Sequence, residues 1–105
     1  MEIRLPLLNL YEDFEMLRRI LKQMRFEEIK NPPNEFIRKN YEGRFHLQIS
    51  VSSDLSEFIV SLHYDETLKN HRTVFNPHIP SLLSQLEKIY LQCFKLNLSQ
   101  LNFKT

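Results

Sequence analysis

Phe45-His46-Leu47-Gln48-Ile49-Ser50-Val51 and Phe58-Ile59-Val60-Ser61-Leu62-His63-Tyr64 each carry an apolar residue at every second position. That period marks a strand with one face on a core and the other in water. Only the hexapeptide Ser52 to Glu57 separates the two runs, so they are predicted to pair as an antiparallel hairpin. Pairing Val51 with Phe58 aligns Ile49 with Val60, Leu47 with Leu62 and Phe45 with Tyr64, and all eight face the core. A slip of one residue would turn one strand's whole apolar set into water, which makes the register strongly specified. The other face then carries Arg44, His46, Gln48, Ser50, Ile59, Ser61, His63 and Asp65.

Upstream of this hairpin, Phe36 to Asn40 reads as a further strand and Tyr41-Glu42-Gly43 as a three-residue loop with Gly43 at its left-handed position. That loop sets Ile37 opposite Leu47 and Lys39 opposite Phe45, and leaves Phe36 and Arg38 on the polar face. Downstream, after a turn from Asp65 to Asn70, His71 to Phe75 is expected to form a fourth strand. Leu10, Phe14, Leu17, Leu21 and Met24 recur at spacings of four and three, one stripe along a helix from Leu10 to Met24. Its acids (Glu12, Asp13, Glu15) precede its bases (Arg18, Arg19, Lys22, Arg25), the order that complements a helix dipole and lets Glu15 pair with Arg19. Phe26 to Asn34 is a connector in which Phe26 to Lys30 can form a short extended piece before Pro32 and Pro33. A second helix is announced by Pro77 and Pro80 and runs from about Pro80 to Leu96.

The chain is therefore predicted to be one domain over residues 1–105. Its expected class is α+β, two-layered: an antiparallel sheet of three to four strands with an N-terminal and a C-terminal helix packed on one face, in the order helix, strands, helix.

Composition narrows the function classes. Fourteen basic and thirteen acidic residues are spread evenly, nine against eight up to Phe45 and five against five after it, which is not the footprint of a strong polyanion binder. A single glycine removes the phosphate-cradling loops of nucleotide enzymes, and no small-molecule substrate or cofactor is implied. One cysteine, Cys93, cannot form an internal disulfide and fits a reducing, cytoplasmic setting. The opening apolar run from Leu5 to Tyr11 is too short for a signal core or a membrane span, so a soluble protein without membrane contact is expected.

Three sets of residues stand out. The second helix sweeps an apolar arc of about 220° and so must bury two sides, either between the sheet and the first helix or against another chain, and the tail beyond it keeps Leu98, Leu101 and Phe103. Tyr90, Leu91, Phe94, Leu98 and Leu101 are accordingly expected to meet a protein partner, a second copy or another chain, with Tyr90, Leu91 and Phe94 as anchors. On the polar sheet face, Phe36, Arg38, Arg44 and His46 combine a stacking aromatic with basic groups, the chemistry of a single-stranded nucleic-acid platform. On the same face His46, His63 and Asp65 supply two imidazoles and a carboxylate, the ligand types of a zinc or related divalent site. Cys93 lies within the apolar arc with no histidine near it in sequence, and the serines beside Asp54 lack a nucleophile elbow. No catalytic residue is expected, and a non-catalytic interaction module leads the functional reading.

Overall fold

The computed structural model describes residues 1–30, 33–67 and 72–104, with side chains as far as residue 100. Its elements run β1 (Glu2–Pro6), α1 (Leu10–Gln23), β2 (Glu27–Ile29), β3 (Glu35–Lys39), β4 (Arg44–Val51), β5 (Glu57–Asp65), β6 (Thr73–Val74) and α2 (His78–Lys104). The strands form one antiparallel sheet in the order β1-β5-β4-β3-β2, with β6 paired to the far end of β5. The expected two-layer α+β class is the observed one, on a wider sheet.

The central hairpin takes the register its alternation demands, with Val51 opposite Phe58, Leu47 opposite Leu62 and Phe45 opposite Tyr64. Phe45, Leu47, Ile49, Phe58, Val60 and Leu62 are all buried under the helices. Each such side chain removed from water contributes about 1.5–3 kcal/mol. The loop joining them is held by Asp54, whose carboxylate accepts from the hydroxyls of Ser52 (2.8 Å) and Ser56 (2.7 Å). These hydrogen bonds, that from Ser56 first, hold the exposed Asp54 carboxyl below its ordinary range.

Two further strands enlarge the sheet. β1 pairs with β5, its Ile3 and Leu5 falling opposite Val60 and Phe58 on the helix-covered face, and Leu5 is completely buried. β2 is the short extended piece anticipated after Phe26, paired at the other edge with β3. At the opposite corner the fourth strand shrinks to Thr73–Val74, and His71 lies outside the described residues, as do residues 68–70 of the turn before it.

The β3–β4 register differs by one residue from the expected one: Phe36 lies opposite Leu47, and Ile37 opposite His46. The turn is closed differently. Asn40 accepts the Gly43 amide on its side-chain oxygen (3.0 Å), while the Asn40 amide donates to the Gly43 carbonyl (3.1 Å). The loop is one residue longer than assumed, and Gly43 is not in the left-handed region. Glycine is needed there for space: a Cβ would stand 2.2 Å from the Asp65 carbonyl oxygen.

α1 begins at Asn9, whose side chain accepts the Glu12 amide (3.0 Å), and the buried Asp13 carboxylate accepts the Leu8 and Asn9 amides (2.7 and 3.0 Å). Leu17, Ile20 and Leu21 turn inward. Arg18, rather than Arg19, takes Glu15 as its partner, and it reaches across to Glu28 of β2 at 3.0 Å, tying the helix to the sheet edge. α2 is longer than predicted, 27 residues instead of about 17, and its backbone stays helical through the expected tail. No helix among the described residues is long and apolar enough to cross a membrane.

Candidate functional site

The extra strand β1 decides the fate of the expected partner anchors. α2 packs against β1 and β5 on one side and α1 on the other, so its wide apolar arc is covered from two directions. Tyr90 is fully buried: its ring lies edge-on to Phe58 (6.3 Å) and stacks on Phe94 (5.9 Å), and its hydroxyl donates to the Pro6 carbonyl of β1 at 2.6 Å. Phe94 is 8% exposed. These two residues are core rather than anchors, a correction to the sequence reading with a plain cause. The area that was to be covered by another chain is covered by β1 and β5 on one side and by α1 on the other. Leu91 and Leu98 are half-buried against the same core, and the Leu101 side chain lies outside the described residues.

What the helices leave open is a groove between them, about 670 Å³ in volume. Tyr11, Met16 and Arg19 of α1 and Ile89, Cys93 and Leu96 of α2 are among its walls. Tyr11 and Leu96 are exposed, at 78% and 64%. Sequence reading missed this surface because Tyr11 and Met16 lie off the stripe that marks the buried side of α1.

The second candidate surface is the face of the sheet away from the helices. Its register brings Glu35 of β3, His46 and Gln48 of β4, and His63 and Asp65 of β5 into one polar row. Glu35 Oε1 is 2.6 Å from His46 Nε2 and accepts from Gln48 Nε2 at 2.8 Å. The His46 and His63 rings are 4.7 Å apart between centroids, and His63 Nε2 is 3.3 Å from Asp65 Oδ1. Arg44 Nε donates to Asp65 Oδ2 at 3.1 Å. The row is shielded: the side chains of Asp65 and Glu35 are 1% and 10% exposed. Burial pushes His63 below its ordinary imidazole value, against the opposing pull of the Asp65 carboxylate.

The predicted neighbours His46 and His63 are thus brought together, with Asp65 beside them. Glu35 was not foreseen. Under the expected register it falls opposite Ile49 on the core face; in the observed one it lies opposite Gln48 on the polar face.

The same one-residue change dismantles the expected nucleic-acid platform. Phe36 is fully buried opposite Leu47, and Arg38 lies on the helix-covered face opposite Phe45. Arg44 and His46 remain on the open face, each paired with a carboxylate. The registers place Glu2, Glu27, Glu35, Glu57 and Asp65 on that face against Arg4, Lys39 and Arg44, an acidic balance that would repel a phosphate backbone.

Compared with models of protein families, with curated proteins and with solved structures, the chain matches none.

Proposed function

We propose that this chain is a small, non-catalytic contact module that pairs with a second copy of itself through the open groove between α1 and α2. The observation that carries the reading is the layout of that groove. Exposed Tyr11 and Leu96 flank half-buried Met16, Ile89 and Cys93, with acid at one end of the α1 wall (Glu12, Glu15) and base further along it (Arg19). A two-fold interface must be self-complementary, because each patch meets its own copy reversed. An axis passing near Met16 lays the Glu12 end of one groove against the partner subunit's Arg19 and closes the apolar middle of both. Aromatic and aliphatic groups in the centre with charges at the rim is the arrangement from which binding energy is drawn.

Sedimentation equilibrium tests this directly. The wild type is expected to be dimeric at roughly micromolar concentration, an affinity of about 8 kcal/mol. Leu96→Glu, at a side chain that points into solvent, is expected to weaken pairing by about 2 kcal/mol or more and leave the monomer folded. Because Cys93 lies across the groove from Met16, a short bis-maleimide should link two wild-type chains through it. A wild type that stays monomeric at tens of micromolar and gives no such link would remove the reading.

A further inference from the structure

Two imidazoles stand side by side on the open sheet face, each with a carboxylate at one ring nitrogen. We infer that His46, His63 and Asp65 bind one divalent first-row transition-metal ion, zinc foremost, with Glu35 as the outer carboxylate that orients His46.

The spacing is the first ground. Zinc bonds of about 2.0–2.1 Å to nitrogen or oxygen, at the tetrahedral angle, set neighbouring ligand atoms about 3.3 Å apart. His63 Nε2 and Asp65 Oδ1 are 3.3 Å apart already. One donor atom from each of His46, His63 and Asp65 lies within 4.8 Å of the other two, close enough for a reorientation of the His46 ring to close the set.

The surroundings are the second. A carboxylate at 2.6 Å keeps the proton of a neutral His46 on Nε2, which leaves the lone pair on Nδ1 for a metal. Gln48 donates to the same Glu35 oxygen and fixes it in turn. Arg44 holds Asp65 Oδ2, so Oδ1 is the oxygen turned towards His63. This is the hydrogen-bonded backing that ligating histidines and carboxylates require. Arg44 and the N-terminal ammonium, both of which act on His63, oppose a cation, and Glu35 and Asp65 balance the two charges when the imidazoles are neutral.

The donor set selects the metal class. Two nitrogens and one oxygen suit zinc, cobalt(II) or copper(II), whereas calcium and magnesium take oxygen ligands throughout. Three protein ligands leave a position for water on the side where His63, 31% exposed at its side chain, meets solvent.

The test uses the untagged chain, stripped with chelator and titrated with zinc by calorimetry and with cobalt(II) by visible absorption. One ion per chain is expected, with the intense visible bands of four-coordinate cobalt(II). His63→Ala should abolish uptake, Glu35→Gln should weaken it roughly 10- to 100-fold while preserving shape, and His78→Ala should leave it unchanged. Circular dichroism of each variant separates lost ligands from lost fold, and Leu96→Glu should bind like the wild type because the groove is on the other layer. No uptake at micromolar free metal, or uptake that survives in folded His63→Ala, overturns the assignment; the cluster is then a hydrogen-bonded tie between three strands and nothing more.

Discussion

Arg25 occupies the left-handed region at φ 69°, immediately after α1. Its amide donates to the Lys22 carbonyl (3.0 Å) and the Phe26 amide to that of Leu21 (2.9 Å), the paired bonds that close a helix with a reversed residue. The buried side chains of Leu21 and Phe26 supply the apolar contact that accompanies this ending. Glycine adopts the conformation without the Cβ clash that an L side chain suffers. The Arg25 side chain is exposed, so Arg25→Gly is expected to raise stability by about 1 kcal/mol in urea unfolding; a lower midpoint would mean that the side chain holds something else. Gly43 poses the opposite case. Its backbone is unstrained, but an added methyl would meet the Asp65 carbonyl at 2.2 Å and the Tyr64 ring at 2.8 Å. Gly43→Ala should therefore cost about 3 kcal/mol by forced displacement of β5. A variant as stable as the wild type would show that the hairpin can open there without loss.

How far the elements were legible depended on how many residues repeated the same message. β4 and β5 state their register eight times over, and it is as the pattern implies; of the five residues in the α1 stripe, Leu17, Leu21 and Met24 are buried and Phe14 half-buried, while Leu10 in the first turn is exposed. The β3–β4 turn had a single informant, Gly43, which satisfies two different loops. The choice fell to the Asn40 side chain, whose hydrogen bond to Gly43 no periodicity encodes. A one-residue slip exchanges the two faces of a strand, and this one exchanged Phe36 and Glu35, moving an aromatic into the core and a carboxylate beside His46. The histidine pair was readable because it rests on the β4–β5 register alone; its outer carboxylate was not, because it rests on β3. β1 was silent for another reason. Five residues ending in Pro6 show only two apolar alternations, Ile3 and Leu5, and an edge strand tolerates proline where an inner one would not. The long α2 was legible as apolar on most sides, and of the surfaces that answer it α1 and β5 were announced by their patterns while β1 was not.

The Tyr90 hydroxyl joins the beginning of the chain to its end, donating to the Pro6 carbonyl 84 residues away at 2.6 Å. Through it α2 is fixed to β1, and the same ring packs on Phe58 of β5 and on Phe94. Burial, and then the charge of Asp13 at the start of α1, push this hydroxyl far above the ordinary tyrosine value near 10. A group whose folded pKa is raised binds its proton more tightly in the fold than in the unfolded chain. Its contribution to stability is complete below about pH 10 and is lost as pH climbs towards the folded value. The wild type should thus weaken steadily above about pH 10, followed by denaturant unfolding at a series of alkaline pH values. Tyr90→Phe separates the two effects of the hydroxyl. At neutral pH it should cost about 1–2 kcal/mol, because the Pro6 carbonyl loses this donor in a dry interior. Above pH 10 its stability curve should fall less steeply than that of the wild type, since the group whose ionisation pulls the fold apart is gone. Parallel alkaline limbs in the two proteins would mean that Tyr90 reaches solvent before the fold gives way, and that the tie between the two ends of the chain is looser than a 2.6 Å hydrogen bond under buried rings implies.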